Sequence, residues 1–254
     1  MRRLAFALIA FTFLAAPLVS FAEDAPAPAA PTPEWTFPSN VALTSDYIFR
    51  GLSQTDQEPA LQAGIEVDHA SGFYVGGWAS NIKWLHAYTP AVSANVEIDV
   101  YAGYRNKFND DWSYDLGLYT YYYPGDYPSG FTSPNTTEIY GALTYKIVTL
   151  KYSHAFTNLF GFTDTKDSDY IDLAANLEFA PTWVLNAHVG HQEVRHLSAA
   201  SYTDYKFGIT KNFDGGWSVA AAWYDTDSDK AIYTFPNGDF QGRSTGVVTL
   251  TKTF

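Results

Sequence analysis

Charged side chains recur at alternate positions of segments that are otherwise rich in apolar residues. They are Asp46, Arg50, Glu66, Asp68, Glu97, Asp99, Arg105, Asp115, Glu138, Lys146, Lys151, Asp172, Glu178 and Lys206. An extended strand turns successive side chains to opposite faces, so this spacing gathers the charges on one surface. Such a surface can line a narrow water path, and its acidic surplus gives a modest preference for cations. It can equally pair with itself and fill a closed interior, because an isolated buried charge is costly. Neither chemistry makes or breaks a covalent bond.

Other constellations lead nowhere catalytic. Ser153 and His154 are neighbours and so point to opposite faces, which rules them out as a nucleophile and base. His154, His188, His191 or His196 could meet Asp164 or Asp167 at one rim, but nothing in the spacing fixes that geometry. His188 and His191 differ in strand parity and cannot share one metal without distortion. Asp225-Thr-Asp227-Ser-Asp229 opens like a calcium loop. Lys230 then replaces the required Gly, and Pro236 stands where the closing Glu belongs. With no Cys in the chain, thiol catalysis and thiolate metal sites are excluded. The sequence therefore predicts no catalytic, cofactor or metal residues.

The elements that must carry the charges are strands. Period-2 alternation places twelve of them near 40–50, 60–68, 72–81, 94–105, 112–122, 136–146, 147–156, 168–179, 182–192, 203–213, 217–226 and 243–254. Within 170–179, Ile171, Leu173, Ala175, Leu177 and Phe179 oppose Tyr170, Asp172, Ala174, Asn176 and Glu178. Connections alternate between long (near 50–60, 82–93, 123–135, 157–167, 193–202 and 227–242) and short. That asymmetry is expected of external loops against periplasmic turns in a transmembrane antiparallel β-barrel. The loops 123–135 and 227–242 are long enough to fold into the mouth. Inward Gly and Ala, Gly103 and Gly117 among them, leave room for an open or gated lumen.

Phe73, Trp112, Trp183 and Trp217 each follow a short turn, which suits an aromatic girdle at the periplasmic interface. The chain holds 19 Tyr, 18 Phe and 7 Trp, an excess that such interfacial belts would explain. The last strand ends on Phe254, the expected signal to the barrel-assembly machinery. Val248 and Leu250 follow the same alternation, but Lys252 stands where an aromatic is usual.

At the other end, Arg2 and Arg3 precede an apolar run from Leu4 to Ala16, and Ser20-Phe21-Ala22 fits a cleavage site. The run is too short to span a bilayer as a helix, which needs about 20 residues. Residues 1–22 read as a signal peptide, 23–38 as a Pro/Ala-rich periplasmic tether, and 39–254 as an outer-membrane β-barrel. Loss of the signal takes the formal net charge from −12 to −14, which argues against nucleic acid as a partner.

Two blocks, Asn40 to Thr55 and Gly72-Phe-Tyr-Val-Gly-Gly-Trp-Ala-Ser-Asn81, resemble the TorF family of bacterial porins, largely uncharacterised exported proteins of similar length. The resemblance implies a Gram-negative outer-membrane location and a pore. The expected function is passive or weakly cation-selective diffusion of small hydrophilic solutes. Outer-membrane lipid, lipopolysaccharide and the assembly machinery are the expected partners. The alternatives are a non-conducting barrel acting through its external loops, as adhesin, receptor or structural protein, and an outer-membrane hydrolase.

Overall fold

A computed structural model describes residues 33–254. The signal peptide and most of the tether lie outside the described residues.

Twelve strands form the wall: β1 Ser39–Thr44, β2 Ala60–His69, β3 Phe73–Asn81, β4 Val96–Lys107, β5 Trp112–Tyr122 and β6 Thr136–Tyr145. They continue as β7 Val148–Ala155, β8 Asp169–Ala180, β9 Trp183–Glu193, β10 Tyr202–Phe213, β11 Trp217–Thr226 and β12 Thr245–Thr253. Each is antiparallel to its neighbours, and pairing of Thr249–Thr253 with Asn40–Thr44 closes β12 onto β1. The Phe254 N–H finishes the seam on the Ser39 carbonyl at 2.9 Å. Closure leaves no unpaired sheet edge, which a wall in hydrocarbon requires.

The first strand departs from the predicted 40–50 and stops at Thr44. Beyond it Arg50 and Gly51 take left-handed φ values of 45° and 77°, which an extended strand cannot contain. The other strands differ from their predicted spans only at the ends. Turns at 70–72, 108–111, 146–147, 181–182 and 214–216 are short, and all other connections are long. Gly72 is required where it stands: its φ is +105°, and a Cβ there would collide with the Arg105 carbonyl oxygen. Just before the wall, Trp35–Thr36 pair with Asp68 and His69, which holds the end of the predicted tether against the short-turn rim.

Periodicity alone left open which face of the wall is apolar outside. Leu43, Leu61, Ile65, Val100, Leu116, Leu118, Leu150, Leu173 and Val248 all point outward and are exposed, Leu116 by 55%. Their sheet neighbours Asp99, Asp115, Glu138, Ser153 and Asp204 point inward and are buried. This is the reverse of a soluble barrel. A continuous apolar belt around a closed wall is the face a membrane barrel turns to lipid.

The aromatic residues divide differently from the belt reading. Phe73, Trp112, Trp183 and Trp217 are the first residues of β3, β5, β9 and β11, with side chains exposed on the outer face at the short-turn end. Yet ten of the 19 Tyr are buried, among them Tyr74, Tyr101, Tyr119, Tyr121, Tyr140 and Tyr170 on the inner wall. Tyrosine is thus chiefly lumen filling: a long ring covers width while its hydroxyl meets the carboxylates there.

Candidate functional site

The barrel interior is organised by the connection between β1 and β2, which folds inward. Thr44 Oγ1 donates to the Asp46 carbonyl at 2.9 Å, and the Asp46 carboxylate accepts from Ser53 at 2.7 Å and Thr55 at 3.0 Å. Burial pushes the Asp46 carboxyl above its usual range, and the two hydroxyls offset part of that rise. These bonds bend the chain into a small hairpin, Ile48–Phe49 against Leu52–Ser53, with Arg50 and Gly51 at its tip. Gly51 lies so near Asp204 on β10 that a Cβ would stand 2.6 Å from the Asp204 Cβ. The tip therefore reaches across the lumen, and only glycine fits at that approach.

Arg50 fastens the tip. Its guanidinium donates to Glu138 of β6 at 2.7 Å and to Gln192 of β9 at 2.7 Å, and lies 4.2 Å over the Tyr170 ring of β8. Burial draws its pKa down, but the Glu138 carboxylate together with the Tyr121 and Tyr170 hydroxyls more than offsets this, so the group stays charged. From there the network runs on. Tyr170 donates to Asp204 at 2.9 Å, and His188 bridges Asp204 at 2.6 Å and Asp172 at 2.8 Å.

Two further layers complete the interior. Beside the hairpin base, Tyr47 donates to Glu97 at 2.9 Å and Tyr119 to Asp99 at 2.8 Å. Nearer the short turns, Arg105 pairs with Glu66 at 2.9 Å and lies 3.7 Å over the Tyr74 ring. Tyr74 donates to Asp115 at 2.5 Å and shares a hydrogen bond with the Tyr140 hydroxyl, while Lys151 sits 4.0 Å over the Tyr140 ring. In the sector from β6 to β10 the short-turn end has a different character. Thr144 meets Thr149 at 2.9 Å, Asn186 donates to Asn176 at 2.6 Å, and Thr210 donates to Asn186 at 2.8 Å. These groups are small, uncharged and mostly half-buried.

The predicted lumen residues thus have several fates. Glu66, Glu97, Asp99, Arg105, Asp115, Glu138, Lys151, Asp172 and Lys206 lie on the inner face of strands, whereas Asp46 and Arg50 lie on the inward segment. Glu97 and Asp99 are only 1% and 2% exposed, so they touch protein rather than water. Glu178 is at the exposed short-turn end, where it accepts from the Thr182 N–H at 3.2 Å. Lys146 is in a turn and pairs with Asp111 at 3.7 Å, outside the lumen. Sequence reasoning missed Asp204 and weighed His188 only as a rim catalyst or metal ligand, not as a lumen residue. Strand parity could have found both, since Asp204 shares a face with Lys206, and His188 pairs across with Lys206.

The remaining candidates are scattered. Ser153 is buried inside, and His154 is on the other face with Asp169 at 2.7 Å. His191 faces outward to Thr203 at 3.1 Å, and the exposed His196 stands 3.4 Å from Asp164. Among the described residues, no group of three or more His, Asp or Glu side chains is placed to hold a metal. Asp229 instead caps a short helix, Lys230–Tyr233, by accepting from the Ala231 N–H. Lys252 lies on the outer face with its Nζ over the Trp217 and Phe254 rings at 5.8 and 4.9 Å, reaching back to the Gly215 carbonyl. The charge thereby leaves the apolar belt for the rim.

Among solved structures, the chain resembles the KdgM porin at 9% identity and a TM-score of 0.53, over 86% of this chain and 98% of that one. It resembles the COG4313 outer membrane channel from Pseudomonas putida F1 at 11% identity and a TM-score of 0.52, over 91% and 100%. The NanC porin follows at 12% identity and 0.50, over 86% and 99%. At such identities the likeness is one of fold. No curated protein matches by sequence. Residues 28–254 match the sequence model of a family described as bacterial protein of unknown function (Gcw_chp), and the chain belongs to that family.

Proposed function

We propose that the protein is an outer-membrane channel for small solutes, narrowed towards its long-loop end by the hairpin 48–53. The observation that carries this reading is the change of lining along the barrel. Small polar side chains line the sector from β6 to β10 towards the short-turn end, and a fastened hairpin crosses the other end. The fold likeness to porins and the resemblance of residues 40–55 and 72–81 to TorF proteins support the same reading. Selectivity would then follow the carboxylates with some solvent contact, such as Asp172 (24% exposed side chain) and Glu66 (13%), rather than Glu97 and Asp99. One KdgM structure is in complex with disordered oligogalacturonate. The acidic surplus of this inner wall disfavours such a polyanion here.

The rest of the placement follows from the same reading. The signal peptide directs the chain to export, the strand ending at Phe254 engages the assembly machinery, and the long loops face lipopolysaccharide. Leu116→Arg, at the middle of β5 on the apolar belt, is expected to lower stability in lipid vesicles by about 2–4 kcal/mol. Urea titration of the refolded protein measures this. A cost near zero would mean that the belt does not face hydrocarbon.

The channel itself is tested by conductance of the refolded mature protein in a planar bilayer under a salt gradient. Discrete small steps are expected. A folded but silent barrel would overturn the proposal in favour of a non-conducting role carried by the external loops.

A further inference from the structure

The long-loop end contains a recess of about 300 Å³ that neither the hairpin nor the ion network fills. Most of the long loops converge on it. Phe49 and Leu52 come from the inward hairpin, Trp84 from the next loop, Phe131 and Phe160 from the following two, and Ile232 from the last. Rings and aliphatic chains dominate this lining, and no carboxylate takes part in it. Most of its polar groups are engaged elsewhere, while the buried Trp84 Nε1–H has no partner among the described residues. Gln241 accepts from Tyr88 at 2.9 Å and donates to the Ser53 carbonyl at 3.0 Å. Gln192 accepts from Arg50 at 2.7 Å and donates to the Asp169 carbonyl at 3.0 Å. Arg50, the one charged side chain at the wall, is neutralised by Glu138.

A recess of this volume, with aromatic walls and few free polar groups, suits a small ligand held by apolar contact. A charged occupant would lose its hydration and find no counter-charge to replace it. We infer that this recess is a binding site for an uncharged, ring-bearing small molecule. The site shares Phe49, Arg50 and Leu52 with the hairpin, so its occupant touches the element that narrows the barrel. The inference deepens the channel reading by naming the solute class met first at the outer mouth.

The probes are 4-fluorobenzyl alcohol and 4-fluorobenzoate, titrated against the full-length mature protein in lipid nanodiscs and followed by ¹⁹F NMR. Saturable binding of the alcohol is expected, with the benzoate weaker by roughly tenfold or more. Ile232→Trp, which projects a larger ring into the recess, is expected to abolish saturable binding while the barrel stays folded by its gel-shift on heating. Ile232→Phe is the milder form should the first variant fail to fold, and it is expected to weaken binding several-fold. Absence of saturable binding, equal binding by the filled variants, or equal affinity for the benzoate would each overturn the inference. Binding needs no conduction, so the two proposals fail separately. A silent barrel that binds the alcohol keeps this site and loses the channel, and a conducting barrel that binds nothing does the reverse.

Discussion

Arg50→Ala is expected to destabilise the folded barrel by about 3–5 kcal/mol, the usual cost of removing one partner from a buried ion pair. The side chains of Arg50 and Glu138 are only 6% and 3% exposed, so the variant leaves a carboxylate in the interior without its counter-ion. It also strips Gln192 of a hydrogen bond and Tyr170 of the cation over its ring. The double variant Arg50→Ala/Glu138→Gln should recover most of the loss, because a neutral amide needs no counter-charge. Urea titrations of the three refolded proteins give the comparison. If the single variant unfolds like the parent, Arg50 does not fasten the hairpin.

Removing the hairpin altogether should enlarge the pore. Thr44 and Ala60 face each other in register on β1 and β2, so a short turn can replace residues 45–59 without shifting either strand. Glu138→Gln is made alongside, since the deletion takes away Arg50. Single-channel conductance in planar bilayers is expected to rise several-fold, because the segment reaching from β1 to Asp204 on β10 is gone. A barrel that folds and conducts as before would place the constriction elsewhere and leave the hairpin a packing element only.

The wall was legible in the sequence because its physics is local. Alternation at a period of two needs only neighbouring residues, as the opposition of Asp172 and Ile171 illustrates. The short turns announced themselves through residues such as Gly72 and the Gly215-Gly216 pair, whose positive φ values few other residues adopt cheaply. The end of β1 was not legible. Ile48 and Phe49 have good strand propensity, and alternation runs past Thr44. What stops the strand is Asp46 collecting hydroxyls from Ser53 and Thr55, a closure between residues seven and nine apart.

The interior charges show the same division. Parity assigned Glu97, Asp99, Asp115 and Glu138 to one face, and that is where they lie. Whether a carboxylate on that face meets water or protein depends on what crosses the lumen, and parity carries no information about it. Tyr47 covers Glu97 from a distance of 50 residues, and Arg50 reaches Glu138 across 88. The sequence by itself determined twelve alternating strands, their long and short connections and which residues share a face of each strand, because covalent geometry imposes that alternation on every neighbour pair. Only the tertiary structure decided that the first loop turns inward, that tyrosines fill the lumen, and that the recess at the mouth exists. Those outcomes rest on contacts between segments far apart in the chain, whose meeting is set by closure of the whole barrel.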